Sequence, residues 1–408
     1  MKAMGPIPPW FAADAAGELL IGRRRASDLI SGAGGSPLFV YDRAIVRGQV
    51  ERFRAAFPGV ALHYAVKANP FGPLLGFLSN EVDGLDLASA GELEIVQAAG
   101  AEALPMSFAG PGKCDEELLA ALEAGVTIHV ESEGETERLL KLAARESRRP
   151  RIAVRVNPPF GLKGSGMKMG GLASPFGVDH DRAPDLIRRI LAGGAEWRGL
   201  HVYAGSQSLS ADALIESQRA TVVLAAEIAK SAGASPPELN LGGGFGIPYF
   251  PGDQPLDVEA VGSALQQTLS GRPPVLGGTR FAIELGRWLA GEAGVYLTRV
   301  VDRKVSRGRT FLVTDGGLQH MLAARDNFGQ LLRRNYPVAV ANRFGAEPTE
   351  EVTVVGCLCT PLDLLADEVL LPKADVGDVI AIFCAGAYGL TASPQAFLSQ
   401  PAAREMLV

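Results

Sequence analysis

The sequence predicts an α/β protein: a parallel (β/α)8 barrel followed by a second, mostly antiparallel β domain. Three observations carry that prediction. Eight short, β-branched runs alternate with amphipathic helical patterns between residues 61 and 287. Helical patterns become scarce after Trp288, where strand-like runs take over. The 408 residues exceed what one ordinary core accommodates and suggest about two domains. The expected boundaries are an N-terminal segment (1–40) contributing to the β domain, a barrel over 41–287, and a β-sandwich over 288–408.

Near the N-terminus, "GELLIG" and "PLFVYD" read as strand material that joins the β domain before the barrel begins. The barrel strands are expected at "LHYAVKAN", "GLDLAS", "MSFAGP", "VTIHVES", "RIAVRVNP", "GLHVYAG", "ELNLGGG" and "RFAIELGR". Between them, segments such as "GELEIVQAAG", "DEELLAALEAG", "GETERLLKLAAR" and "APDLIRRILAG" have the 3.6-residue period of surface helices. Units of strand then helix in unbroken succession favour a closed barrel over an open sheet. The later runs "GVYLTRVV", "TFLVTDGG", "EEVTVVG", "DEVLLP" and "DVIAIFCAG" supply the β domain.

Composition narrows the function. A formal charge of −6 argues against a nucleic-acid partner, because phosphate neutralisation needs a basic excess. The four cysteines, Cys114, Cys357, Cys359 and Cys384, show no C-x-x-C spacing and no nearby histidine, so neither a disulfide framework nor a metal site is expected. The first residues lack an uninterrupted apolar stretch of signal-peptide type, and no apolar run approaches the ~20 residues needed to cross a bilayer. No membrane association is expected, and the chain reads as cytoplasmic.

In a parallel barrel the active site lies at the C-terminal ends of the strands. Unusual polar residues collect there: Lys67 after strand one, Asp86 in two, Arg155 in five, Tyr203 and Ser206 after six, and Glu284 with Arg287 at eight. The apolar surroundings of Lys67 suggest a lysine withdrawn from water; the bland alternative is a stem buried at a sheet edge with a wet ammonium. Gly242, Gly243 and Gly244 end strand seven, where barrels bind phosphate through backbone N–H groups that only glycine lets approach closely. A tight turn is the structural alternative. A lysine, a phosphate cradle and an inward carboxylate together suggest pyridoxal phosphate (PLP).

The motifs "YAVKANP", "GLDLASAGEL", "RVNP", "GLHVYAGSQ", "LNLGGGFGIPY", "ELGR", "CTPLD" and "AGAYG" appear in the order found in fold-type III PLP decarboxylases. The chain resembles that diaminopimelate, ornithine and arginine decarboxylase family over roughly residues 36–401. The resemblance implies a TIM-like, alanine-racemase-like barrel with a β-sandwich that completes the active site. It implies a homodimer with shared sites. Lys67 would carry the cofactor as an aldimine, and loss of CO2 would pass through a quinonoid intermediate. Asp86 and Glu92 match acids near the lysine and ring, Arg155 the arginine beside the ring hydroxyl, and Glu284 the partner of the pyridine nitrogen. Ser206, Gly242 to Gly244, Gly286 and Arg287 match the phosphate cradle, and Tyr388 the tyrosine that reaches it. Cys359 matches the Cα proton donor, with a buried inert thiol as the alternative. Substrate contacts are expected from Arg287, Thr360, Asp363 and Tyr388.

Departures from the family pattern point to the substrate. Tyr203 stands where many members stack a histidine, with His201 two residues earlier. Thr360 replaces the acid that faces a distal ammonium, and Ala323 replaces an arginine for a distal carboxylate, with Arg325 two residues on. "GMKMGG…FGVD", "NFGQLLRRNYPV" and "AFLSQP" resemble decarboxylases found with exosortase systems or acting on aminoacyl groups tethered to an acyl-carrier protein. A carrier-linked substrate is therefore expected. Arg325, Arg333 and Arg334 are candidate carrier contacts, with ordinary surface charge as the alternative. The competing readings are diaminopimelate decarboxylase, a fold-type III racemase, against which Glu284 argues, and a non-catalytic PLP-binding protein.

Overall fold

The computed structural model describes residues 1–162, 167–168, 170–326 and 334–408. They form two compact units, one of residues 50–246 with 255–286, the other of residues 1–49, 247–254 and 287–408.

The first unit is the barrel. Its strands are β1 (Ala61–Ala65), β2 (Gly84–Leu87), β3 (Met106–Phe108), β4 (Thr127–Val130), β5 (Arg151–Asn157), β6 (Glu196–Val202), β7 (Glu238–Asn240) and β8 (Arg280–Leu285). Each pairs in parallel with the next, and β8 pairs with β1, so these eight strands close on themselves. Closure explains their composition, because a strand covered on both faces carries apolar residues continuously. In β5 every residue after Arg151 is buried. The helices outside are amphipathic: Ala183–Ala192 buries Leu186, Ile187 and Ile190 and leaves Arg189 to pair with Glu137 at 2.6 Å. Helix starts follow their caps, since the Ser89, Ser132 and Ser210 hydroxyls each accept an N–H from the first turn.

The second unit is built on the strand Gly294–Ser306. Its first half pairs antiparallel with Leu38–Tyr41 and Val379–Ile382, its second half with Arg309–Thr314. Alternate residues Leu38, Val40, Val295, Leu297, Val379 and Ala381 pack with Phe11, Leu19 and Leu29 into one core. The "PLFVYD" strand joins this sheet as expected. "GELLIG" does not: it forms a small three-stranded antiparallel sheet with Ala12–Ala13 and Arg24–Arg25. Residues 247–254, which follow β7, belong to this unit because Tyr249 and Phe250 pack on Tyr336, with ring centroids 4.7 and 5.7 Å away. Among the described residues no helix is long and apolar enough to cross a membrane.

Candidate active site

Lys67 lies in a single helical turn, Val66–Ala68, just past β1, and its side chain is exposed. The apolar run suggested a lysine withdrawn from water; instead the neighbours Val66 and Ala68 are buried and Lys67 points out of that turn. Its Nζ stands 5.7 Å from the Tyr203 ring centroid, and the Arg155 guanidinium stands 5.9 Å from the same ring. Gly286 places this turn against the end of β8, since a Cβ there would come within 2.5 Å of the Ala68 Cβ.

Glu284 is buried in β8. Asn240 donates to its Oε2 at 3.2 Å, and the His201 Nε2 lies 3.3 Å from the same oxygen. Burial alone would raise this carboxyl. The His201 ring, and after it the charges of Lys67 and Arg155, outweigh burial and hold it well below the usual carboxylate range. The result is a carboxyl that favours its ionised form, close to an accessible lysine.

The three glycines after β7 make the cradle. Gly242 and Gly244 have φ of +68° and +88°, and a Cβ on Gly243 would sit 1.9 Å from the Glu284 carbonyl. Asn240 Oδ1 accepts the Gly242 N–H at 2.8 Å, so one side chain ties the cradle to Glu284. Gly205 and Ser206 line up beside it: the Gly205 carbonyl would meet a Gly244 Cβ at 2.7 Å, and Ser206 is buried. Glycine backbone, a lysine and a buried anion form a donor set that fits a phosphorylated aldehyde with a basic ring nitrogen.

The remaining acids hold the frame. Asp86 accepts the Ser107 hydroxyl and stands 3.8 Å from His63 Nδ1, an ion-pair distance. Burial opposes a charge on His63, but Asp86 outweighs it and lifts the ring to about 9. Glu92 closes the cap begun by Ser89, its Oε2 accepting the Ala88 N–H at 2.7 Å. Burial pushes its carboxyl up, against the Ala88 bond and the Lys67 charge. Arg155 pairs with Glu131 at 3.0 Å, and Glu131 also accepts the Gly110 and Gly177 N–H groups. Glu131, His63, His129, His201 and Asn240 were not singled out as site residues from sequence, apart from the position of His201. A polar side chain inside, or directly after, a strand buried on both faces was the available signal.

In the other unit, the buried Arg287 donates to the Tyr249 hydroxyl at 2.9 Å and lies 4.6 Å from the Tyr388 ring centroid. Its Nε is buried without a hydrogen-bond partner among the described residues. Burial pushes the Tyr249 hydroxyl up to about 12, so it stays protonated beside the guanidinium. In the Cys357–Asp363 segment, Cys359 is exposed and Thr360 half-buried. Asp363, expected among the substrate contacts, is buried and bound inward: Leu318 and Leu358 each donate a backbone N–H to it at 2.7 Å. Added Cβ atoms on Gly317 and Gly356 would reach 2.2 and 2.3 Å from its oxygens, so this carboxylate anchors the segment. Thr360, Pro361, Phe311, Val355 and Leu364 line a shallow cavity of about 380 Å³. Ala323 is buried, Arg334 is exposed with its guanidinium 3.9 Å from the Phe250 ring centroid, and Arg333 and the Arg325 side chain lie outside the described residues.

The family described as "Pyridoxal-dependent decarboxylase, pyridoxal binding domain" matches residues 43–291. The chain is 36% identical over 384 residues to the L-glutamyl-[BtrI acyl-carrier protein] decarboxylase of Niallia circulans, covering 91% of this chain and 88% of that protein. It is 33% identical over 402 residues to the diaminopimelate decarboxylase of Methanothermobacter thermautotrophicus, covering 96% and 91%. The structure is similar to diaminopimelate decarboxylase from M. jannaschii in complex with L-lysine, with a TM-score of 0.87 at 25% identity, covering 98% and 92%.

Proposed function

Since the chain belongs to the pyridoxal-dependent decarboxylases, we propose that it removes CO2 from an aminoacyl group tethered to an acyl-carrier protein. It is a PLP-dependent carboxy-lyase. In this reading it works in the cytoplasm as a homodimer, the Cys359 segment of one copy completing the barrel site of the other.

Bound in the barrel, PLP supplies a sink for the electron pair left on Cα when the bond to CO2 breaks. Lys67 would hold the cofactor covalently, and Gly242 to Gly244, Ser206 and the Gly286 backbone would receive its phosphate, with Arg287 and Tyr388. Arg155 would stand at the ring hydroxyl, Tyr203 on the ring face, and Asp86 near the lysine and the ring. Glu284, kept ionised, would face the ring nitrogen and favour its protonated form. The Cys359 thiol would return a proton to Cα, for which its exposure is suitable.

The substrate reading rests on Thr360. A neutral, half-buried side chain stands where diamine-reading members carry an acid, so a free distal ammonium would lose its counter-ion. A tethered substrate has no such charge, and the similarity to a carrier-linked glutamyl decarboxylase supports the same conclusion. The test is kcat/KM on carrier-tethered aminoacyl substrates against free diaminopimelate, lysine and ornithine. Tethered substrates should win; a wide margin for free diaminopimelate overturns the proposal.

A further inference from the structure

Beneath Glu284 lies a histidine to which the roles above give no task. His201 in β6 reaches two neighbours at once: its Nε2 is 3.3 Å from Glu284 Oε2, and its Nδ1 is 3.0 Å from His129 Nδ1 in β4. The two rings are 1% and 5% exposed, so neither exchanges these partners for bulk water. The backbone enforces the meeting. His201 pairs with Asn240, whose partner in β8 is Ala282, two residues before Glu284, and Ala153 in β5 pairs both with His129 and with Gly199, two residues before His201.

The distances restrict the protons. Two ring nitrogens at 3.0 Å share one hydrogen, because none leaves lone pair against lone pair and two would collide. If His129 donates it, the single proton of a neutral His201 must sit on Nε2, toward Glu284. If His201 donates it, a bare Nε2 would set its lone pair against a carboxylate in a buried site, which is costly. Opposite an ionised Glu284, both arrangements therefore put a hydrogen on Nε2. Burial and the His201 ring hold His129 far below the ordinary imidazole range, so it serves as a neutral partner. The Nε2–H is close to Oε2 but off the line of a hydrogen bond, so it acts mainly through the N–H dipole. Asn240 donates to the same oxygen, and the two groups together restrain the carboxylate.

We propose that His201, set in its tautomer by His129, is a positioning residue that fixes Glu284 for its work at the ring nitrogen of the cofactor. The inference rests on the reading that Glu284 serves that nitrogen. It predicts that His201→Leu lowers kcat by about 10- to 100-fold, as loss of a supporting partner behind a site ligand does, with KM little changed. His201→Gln, which keeps a donor near the Nε2 position, should stay within a few-fold of wild type.

The deciding readout is the ring-nitrogen chemical shift of ¹⁵N-labelled PLP bound to each protein. In His201→Leu the resonance should move toward the unprotonated value, and in His201→Gln it should not. A protonated nitrogen in His201→Leu with wild-type kcat overturns the inference. If His201→Leu does not fold, the pair His129→Leu and His129→Asn decides it: the leucine variant should shift the resonance and the asparagine variant, with a donor near Nδ1, should not. Equal spectra for that pair also overturn it. Glu284→Gln separates the two layers. If Glu284→Gln leaves the nitrogen protonated, the role given to Glu284 fails; if it shifts the resonance while the histidine variants do not, only the role of His201 falls.

Discussion

The barrel interior and the Cys357–Asp363 segment hold their acids in opposite ways. In the barrel, Glu284, Asp86, Glu131 and Glu135 each face a buried cation or histidine: His201, His63, Arg155 and Lys113. In the segment, Asp363 is held by two backbone N–H groups, and burial pushes its carboxyl up against them. Both kinds of partner favour a charged carboxylate, but the barrel's side-chain partners are themselves ionisable, whereas backbone donors carry no charge that can change. The barrel partners are therefore open to titration and to charge substitution, and those of the segment are fixed with the backbone.

Four changes break or sharpen that contrast. The largest effect is expected from removing the cation of the barrel mouth. Lys67→Ala should abolish borohydride-reducible PLP and lower turnover by 10³-fold or more, on the order of other covalent catalysts. Covalently reducible cofactor in that variant would show that the lysine is misassigned.

Next comes the anion. Glu284→Gln should still bind PLP while kcat falls on the order of 10²–10⁴-fold, the usual span for one catalytic group. Unchanged turnover would mean that charge at this position does not matter.

The third change probes the charge balance through pH. His63 has its folded value raised to about 9 from 6.5, so the folded protein binds the extra proton between those values. Its stabilising contribution is complete below pH 6.5 and is lost as pH rises through about 9, a difference of about 3 kcal/mol. Urea unfolding of wild type and His63→Asn should converge by that amount between pH 6 and 9.5. A constant gap would show that the ring is neutral in the folded barrel.

The smallest effect is expected where charge is brought into the segment. Thr360→Glu should raise kcat/KM on free lysine or ornithine about fivefold, since a half-exposed ion pair contributes at most ~1 kcal/mol. No gain, with the fold intact, would remove Thr360 from the substrate reading.

The sequence by itself determined the alternation of β-branched runs and amphipathic helices, and with it the barrel, because both periods are local properties of the chain. It also determined the chemistry-bearing types at the strand ends: Lys67 after β1, the glycines after β7 and Glu284 in β8. Only the tertiary structure decided how those groups are supported. His129, His201 and Glu284 are far apart in sequence and meet through strand register and barrel closure, which no local pattern encodes. Residues 247–254 looked like barrel and joined the β unit, because burying Tyr249 and Phe250 on Tyr336 outweighs sequence proximity. Lys67 looked buried and is exposed, because the strand ends at Ala65 and the following turn directs it outward. Protonation separates the same way: His63 is lifted to about 9 while His129 is driven far below its ordinary value. Residue type is identical in the two and burial opposes the charge on both; Asp86 outweighs it at His63, whereas the neighbouring His201 ring adds to it at His129.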